Sequence, residues 1–174
     1  MSQYGYLWVK SEGEGVIEGF TSEKTPLLDG KNPEKMMRIL ACDHSMYVQV
    51  NPESGETKSM MQNGTFNCQI DIDKSMPILY KSFIEGTRCE AEIYLMQVGK
   101  SDEPGGGKGN YENFAQISLK KARIARVSVT NPPVYTKNDL GVLLDVSFSY
   151  GYFKLHHKSG KGAVWDFANK EGQK

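Results

Sequence analysis

The sequence lacks the features that mark membrane proteins and disulfide-stabilised secreted proteins. It contains no run of about 18 apolar residues, so we expect no membrane insertion. Its N-terminus, MSQYGYLWVKSEGEG, has no basic start followed by a long apolar stretch, so we expect no cleaved secretion signal. Cysteine occurs only three times, at widely separated positions, and an odd number argues against a disulfide framework. This cysteine usage is typical of a protein of the reducing cytoplasm.

The sequence also lacks an excess of charge of either sign. Lys plus Arg count 21 and Asp plus Glu count 21, so the formal net charge is zero. Binding to phosphate backbones needs a surplus of basic groups, so we expect no nucleic-acid partner. Hydrophobic residues make up 39% and charged residues 24%, which is an ordinary globular composition. With 174 residues, the chain is predicted to form a single domain over 1–174.

Hydrophobic residues that alternate with polar ones dominate the sequence. A period of two is typical of a strand that is buried on one face only. The alternation is clearest in residues 65–72, 88–98 and 143–155. In the first of these segments, the predicted buried face consists of Phe66, Cys68, Ile70 and Ile72. Many such stretches, separated by Gly, Asn and Pro, predict an antiparallel β-sandwich or β-barrel.

One segment, residues 73–86, departs from this alternation and follows a helical period. Its apolar residues recur with the spacing of one helix face, at Met76, Leu79, Tyr80, Phe83 and Ile84. Asp73 or Ser75 can cap the first turn, and Pro77 is tolerated near the helix start. Gly86 is placed to end the helix in a left-handed conformation. We therefore predict a mainly β fold with one helix, which covers one end or one edge of the sheet.

Two sequence features suggest enzyme chemistry only superficially. Residues 105–108 read GGGK, but a phosphate-binding loop would need glycine and Ser or Thr where Asp102 and Gly109 stand. Cys68 and Cys89 fall on apolar strand faces, where cysteine packs as a small hydrophobic residue. We therefore expect no nucleotide site, no cofactor and no catalytic cysteine.

The three histidines form no metal-binding or catalytic pattern. His156 and His157 are adjacent on a predicted strand, so their side chains face opposite sides and disfavour a shared metal. His44 lies next to Asp43, and neighbours on a strand also face apart. We expect surface or interface histidines and no metal site. A β-barrel hydrolase that uses His44 or the His156–His157 pair stays open as an alternative.

Several motifs, taken in order along the chain, resemble those of one protein family. Residues 73–81 read DKSMPILYK and resemble the D-K-S-S-P-x-L-Y-K motif of the haemolysin-coregulated protein (Hcp) family of type VI secretion systems. Residues 117–124 are similar to the family's I-x-L-x-x-A-x-I strand, and residues 145–150 resemble its E-V-S-F-S-Y strand. Residues 6–10 and 54–55 resemble its opening strand and its S-G turn. In the helix segment, the motif positions are Asp73, Lys74, Ser75, Pro77, Leu79 and Tyr80.

The resemblance implies a compact antiparallel β-barrel of two sheets flanked by one α-helix, related in form to phage tail tubes. It implies a structural, non-enzymatic subunit of hexameric rings that stack into the inner tube of the secretion system. The partners implied are sheath proteins, a VgrG-type spike protein and effector cargo inside the ring. The protein is then cytoplasmic before firing and secreted afterwards without a cleaved signal peptide. An effector-binding chaperone or receptor ring that does not build the main tube is the alternative role.

Two surfaces are candidates for these contacts. A ring subunit needs a polar face toward its lumen, and the small, sparsely charged face of residues 65–72 fits this need through Thr65, Asn67, Gln69 and Asp71. The turn that follows residue 50 is the candidate contact to a neighbouring subunit or ring, through Asn51, Pro52, Glu53, Ser54, Gly55 and Lys58. Residues 114–138 are basic without an acidic residue, whereas residues 85–103 are mainly acidic. Opposite charges of this kind can meet between copies of the chain.

Overall fold

The computed structural model describes residues 4–21, 25–98, 111–131 and 141–166. The Gly-rich segment 99–110, with the rejected phosphate loop, lies outside these residues. The strands are β1 (Tyr4–Ser11), β2 (Gly15–Ile17), β3 (Met37–Asp43), β4 (Met46–Val50), β5 (Thr57–Asn63), β6 (Phe66–Asp71), β7 (Arg88–Val98), β8 (Tyr111–Thr130), β9 (Leu143–Ser149), β10 (Tyr152–His157) and β11 (Gly162–Asp166). The α-helix α1 spans Met76–Glu85, and a 3-10 turn spans Pro33–Lys35. Among the described residues, no helix has the length and apolar character needed to span a membrane.

Six antiparallel strands close into a barrel. Their order is β8-β7-β1-β3-β6-β9, and β9 pairs again with β8. The length of β8 permits this closure, because its residues up to Arg123 pair with β7 and those from Arg123 to Thr130 pair with β9. Strands β10 and β11 extend the same sheet from β8, and β2 pairs with β1. A second sheet, here called the ribbon, consists of β4 and β5 alone. The expected antiparallel barrel with one helix is confirmed.

The strand predicted over residues 143–155 is interrupted in the structure. Strand β9 ends at Ser149 and β10 begins at Tyr152, although both pair with β8. A Cβ atom at Gly151 would lie 3.3 Å from the Cβ of Lys121. Lys121 itself has a positive φ of 50°. A larger residue at this break between β9 and β10 would press on Lys121 of β8, so glycine eases the close approach of the two segments.

The barrel interior is filled by the residues that the alternation predicts to be buried. Phe66, Cys68 and Ile70 are 1%, 2% and 0% exposed. Ile72 was expected on the same face but is 38% exposed. It follows the last residue of β6, so the pleat that directs alternate side chains inward no longer applies to it.

Helix α1 packs on the barrel through a narrower face than the sequence predicts. Leu79 and Ser82 are buried, and Leu79 joins the barrel core. Phe83 and Ile84 were expected on the buried face but are 39% and 78% exposed. The prediction of the apolar face is therefore wrong for the last turn of the helix. The predicted end is confirmed, because Gly86 has the left-handed φ of 62°.

A second apolar cluster lies apart from the main core and was not predicted. It combines residues of β1 and β7 with the segment before β3, namely Tyr4, Tyr6, Leu28, Met36, Tyr94 and Met96. Lys31 connects this segment to the barrel. Its Nζ atom forms an ion pair with Glu92 and lies 4.5 Å from the centroid of the Trp8 ring. The segment that ends in the 3-10 turn thus covers one side of the barrel wall.

Candidate functional site

The predicted polar face of β6 opens onto a groove of about 750 Å³ on the barrel surface. The groove is bounded by β3, β6, β9 and the last part of β8. Its charged, amide and hydroxyl lining residues are Asp43, Thr65, Asn67, Gln69, Arg126, Asp145 and Ser147. Three of the four residues predicted for this face, Thr65, Asn67 and Gln69, therefore line one concave surface. Asp71 is not among the lining residues, because it lies at the far end of β6 opposite Leu143.

Hydrogen bonds across neighbouring strands order the side chains of the groove. Asn67 donates through Nδ2 to Asp43 Oδ2 at 2.8 Å, and it accepts at Oδ1 from Thr65 Oγ1 at 2.9 Å. Gln69 donates through Nε2 to Asp145 Oδ1 at 3.0 Å. The other carboxylate oxygen of Asp145 accepts from Thr130 Oγ1 at 2.7 Å. Both carboxylates in the groove are thus held by amide or hydroxyl donors.

This arrangement provides a preorganised polar surface. The two carboxylates and two amides of the groove are hydrogen-bonded to one another, to Thr65 or to Thr130. The described residues also contain no group of three or more His, Cys, Asp or Glu side chains that could hold a metal ion. Such a surface can offer hydrogen bonds to a polar partner without forming a tight apolar pocket.

The predicted contact turn lies at the tip of the ribbon. Asn51 holds it by accepting from Glu53 N at 3.1 Å through Oδ1 and from Gly55 N at 2.9 Å through its carbonyl oxygen. Ser54 Oγ accepts from Glu56 N at 3.3 Å, and Gly55 has the positive φ of 68° that this turn needs. Pro52 is exposed, as are Glu53, Ser54 and Gly55, while Lys58 lies on β5 opposite Gln49.

The ribbon beside this turn exposes apolar side chains. Tyr47, Val48 and Val50 of β4 are 53%, 39% and 56% exposed. The only strand that pairs with β4 in the described part of the chain is β5. An exposed two-stranded ribbon with apolar residues is typical of a surface that another chain covers.

The motif residues at the start of α1 have a structural role. Asp73 accepts at Oδ1 from Ser75 N at 2.8 Å and from the Ser75 hydroxyl, and at Oδ2 from Phe20 N at 2.9 Å. Ser75 occupies the N-cap position, but its side chain makes no cap hydrogen bond. Of the two candidates predicted to cap the first turn, Asp73 is the one whose side chain accepts a backbone hydrogen bond there. Asp73 also joins the loop that follows β2 to the turn before the helix.

The other motif side chains support the same junction. Leu79 is fully buried in the barrel core, and Tyr80 packs against that core while half-buried. Lys74 lies on the surface, where its Nζ atom is 3.6 Å from Glu18 Oε2. Pro77 is exposed in the first helical turn. The motif therefore fixes how the helix sits on the barrel.

The histidines are not assembled into a catalytic pair within the described residues. His44 Nε2 hydrogen-bonds with the Tyr150 hydroxyl, whose pKa is raised to about 12 by burial. His157 Nδ1 accepts from Ser159 N at 3.1 Å in an exposed turn, and His156 lies next to it, also exposed. Burial raises the pKa of the Cys68 thiol well above its usual value, which keeps it protonated.

Comparisons with known proteins relate this barrel to one family. The family model described as "Type VI secretion system effector, Hcp" matches residues 10–157. A search of curated protein sequences finds no match.

Solved structures resemble the chain over nearly its whole length. A crystal structure of an Hcp protein has a TM-score of 0.81 at 22% identity, over 95% of this chain and 98% of that one. A variant of Hcp1 from the E. coli EAEC 042 pathovar has a TM-score of 0.74 at 19% identity, over 94% and 97% of the two chains. The secreted protein Hcp3 from Pseudomonas aeruginosa has a TM-score of 0.67 at 18% identity, over 95% and 98%. At these identities, the structural likeness shows a shared fold.

Proposed function

The chain belongs to the Hcp family of the type VI secretion system, and from this premise we propose that it is a structural subunit of the system's inner tube. Copies of the chain close into hexameric rings, and the rings stack into a tube that carries effectors. The observation that carries this proposal is the family match over residues 10–157, on a closed barrel with one polar, hydrogen-bonded groove. We propose that residues 1–174 act as a single tube domain without catalytic activity.

The groove supports a lumen-facing role for the barrel wall beside β6. A lumen must pass varied cargo, so its wall should bind weakly and expose few apolar groups. The lining of Asn67, Gln69 and Thr65 fits this requirement, since their polar groups are largely engaged with one another. The proposed lumen-facing surface therefore consists of Thr65, Asn67 and Gln69, and Asp71 lies at its edge.

The ribbon supports a role as the contact between copies. Its exposed Tyr47 and Val50 offer apolar area to a neighbouring subunit or ring. The tip turn, from Asn51 to Gly55, extends that surface with Lys58 on the adjoining strand. Each copy would use this ribbon on one neighbour and receive a ribbon from another, as a closing head-to-tail interface requires.

The further partners follow from the tube role. We propose a VgrG-type spike at the tube tip, sheath proteins around it and effector cargo within it. The protein is cytoplasmic before firing and leaves through the type VI system. Nucleic acid and membrane lipid have no part in the proposed role.

The solution mass of the purified full-length protein tests the proposal. Light scattering behind a sizing column should give a particle of about six times the 19.5 kDa chain mass. Negative-stain images of the same fraction should show rings with a central opening, and stacks at high concentration.

Two other outcomes of these measurements would contradict parts of this proposal. A monomer across the whole concentration range overturns the self-assembling tube. Rings that never stack but retain a co-expressed effector favour the effector-binding chaperone or receptor ring.

A further inference from the structure

Two cysteines that lie far apart in the sequence meet across the barrel wall. Cys42 of β3 and Cys68 of β6 are direct partners in the antiparallel pairing. The next pair along these strands, Asp43 and Asn67, is hydrogen-bonded on the groove side at 2.8 Å. Successive side chains of a strand alternate between its two faces, so both cysteine side chains lie together on the opposite face.

The spacing of directly opposed residues matches the requirement of a disulfide bond. Such residues have Cα atoms about 4.5–5.5 Å apart in an antiparallel pair. Disulfide-bonded cysteines usually have Cα atoms about 4.4–6.8 Å apart. Both residues are free thiols in this structure.

The two thiols differ in access, and this sets the order of reaction. Cys42 is exposed, whereas Cys68 is only 2% exposed. An oxidant from solution can therefore reach Cys42 first, and Cys68 is placed to react next. The Cys42 thiol is nevertheless partly shielded from water, and this shielding and the neighbouring Asp43 raise its pKa, so the first step is slow at neutral pH.

We propose that Cys42 and Cys68 form a thiol-modification site that reacts with a small-molecule disulfide and closes into a cross-strand disulfide bond. The Cys42 thiolate attacks one sulfur of the oxidant, which breaks the oxidant's disulfide and releases one thiolate. The Cys68 thiol then loses its proton, which its raised pKa makes slow, and its sulfur attacks the Cys42 sulfur and displaces the second small thiol. Two protein thiols are oxidised, one small disulfide is reduced to two thiols, and the two cysteine protons pass to those thiols.

The position of this site gives the bond a structural consequence. The ribbon begins at Met46 and ends at Asn63, so the whole ribbon lies between the two cysteines in the sequence. A Cys42–Cys68 bond closes a loop around the ribbon and fastens its base to the barrel. Closing such a loop restricts the unfolded chain and raises the melting temperature. This inference concerns the folded chain itself and does not depend on the proposed tube role.

Peptide mapping after oxidation by glutathione disulfide tests the proposal. The full-length protein is oxidised, blocked with an alkylating reagent under denaturing conditions and digested with trypsin. Cleavage after Arg38, Lys58 and Lys74 places Cys42 in peptide 39–58 and Cys68 in peptide 59–74. We expect these two peptides to be joined, with the protein about 2 Da lighter before blocking. Cys89 should stay free and become alkylated, and the melting temperature should rise by several degrees and return on reduction.

Three single variants keep the test decisive. Cys89→Ala should still form the bond. Cys68→Ala should stop at a Cys42–glutathione adduct, and Cys42→Ala should show neither product. Because Cys42 is exposed, its replacement leaves the fold intact and serves even if Cys68→Ala fails to fold. Peptides 39–58 and 59–74 that remain unlinked in the oxidised native chain, or Cys42 linked between two chains, would overturn the proposal.

Discussion

His44 stacks against two phenylalanine rings at the point where β3 leads toward the ribbon. Its ring centroid lies 4.8 Å from that of Phe153, with an interplanar angle of 13°, and 5.5 Å from that of Phe66 at 26°. Its Nε2 hydrogen-bonds with the Tyr150 hydroxyl. Burial lowers the pKa of His44 below its ordinary value of 6.5, and the nearby charge of Asp43 opposes this only in part. The folded protein therefore favours the neutral imidazole.

This environment predicts a loss of stability in mild acid. Because the folded pKa of His44 lies below the unfolded value, the unfolded chain takes up a proton first as the pH falls. The contribution of neutral His44 is complete above about pH 6.5 and declines as the pH falls below that value. Between pH 7.5 and 5.5, the melting temperature should fall by at least about 2 °C more than in His44→Gln.

The glutamine variant is the comparison that isolates this group. Gln keeps a hydrogen-bonding side chain near Tyr150 but does not titrate, whereas His156→Gln changes an exposed histidine elsewhere. The His156 variant should retain the pH dependence of the unmodified protein. Parallel melting curves for the unmodified protein and His44→Gln across this pH range would show the argument to be wrong.

At the residue scale, the sequence predicted burial better than side-chain partnership. Alternation identified Phe66 and Cys68 as buried, because a strand pleat repeats locally every two residues. The partner of His44, Tyr150, lies 106 residues away, and no local pattern encodes that contact. The Cys42–Cys68 pairing could not be predicted from local sequence either, because the register of β3 on β6 depends on the bulge between Ile39 and Ala41.

At the scale of elements, the ribbon differs from the other strands. In the part of the chain that the structure describes, β4 and β5 pair only with each other, and the apolar residues Tyr47 and Val50 of the ribbon are exposed. A strand pair of this kind is only marginally stable alone, so contact with another copy of the chain would stabilise it. This observation motivates a test of the ribbon as the contact surface.

Val50→Lys should impair assembly without unfolding the barrel. The side chain is 56% exposed, so the melting temperature at low protein concentration should change by less than about 2 °C. A lysine buried at an interface lacks a partner, so the concentration at which rings or stacks form should rise at least about tenfold. Sedimentation velocity over a dilution series measures this change. Removing residues 53–57 should leave a folded barrel with impaired stacking.

Val164→Lys is the matched control for the ribbon variant. Val164 lies on β11 and is 58% exposed, nearly the same as Val50. The control should assemble at the concentration of the unmodified protein. The ribbon would not be the contact surface if Val50→Lys and Val164→Lys affected assembly equally. Unchanged assembly after removal of residues 53–57 would lead to the same conclusion.

Elements were predicted more securely than their packing. The helix and its end at Gly86 follow from local spacing and capping chemistry. The exposure of Phe83 and Ile84 does not follow from local spacing, because it depends on how the helix crosses the barrel. The break in the strand at Gly151 was also missed, since the close approach of Lys121 from β8 cannot be read from the local sequence.

At the scale of the whole molecule, closure of the barrel decides which polar residues share a surface. The polar side of β6 was visible in the sequence, but Asp43 and Asp145 join it only because β3 and β9 flank β6. Their carboxylates bind Asn67 and Gln69 and leave a groove with few free charges. Asp71 belongs to the same sequence pattern but not to this groove.

If this groove faces the lumen of a ring, a bulky side chain in it should exclude cargo without preventing ring formation. Asn67→Trp loses two hydrogen bonds and Gln69→Trp loses one. Each costs about 1–2 kcal/mol, against a typical domain stability of about 5–15 kcal/mol. Both variants should therefore fold and give the ring mass by light scattering. Retention of a co-expressed type VI effector should fall at least about tenfold in each, because one indole per subunit narrows the opening. Glu85→Trp, at the exposed end of α1, adds the same side chain outside the groove and should retain the effector. Loss of rings with undiminished effector binding would place the groove at a subunit interface instead of the lumen.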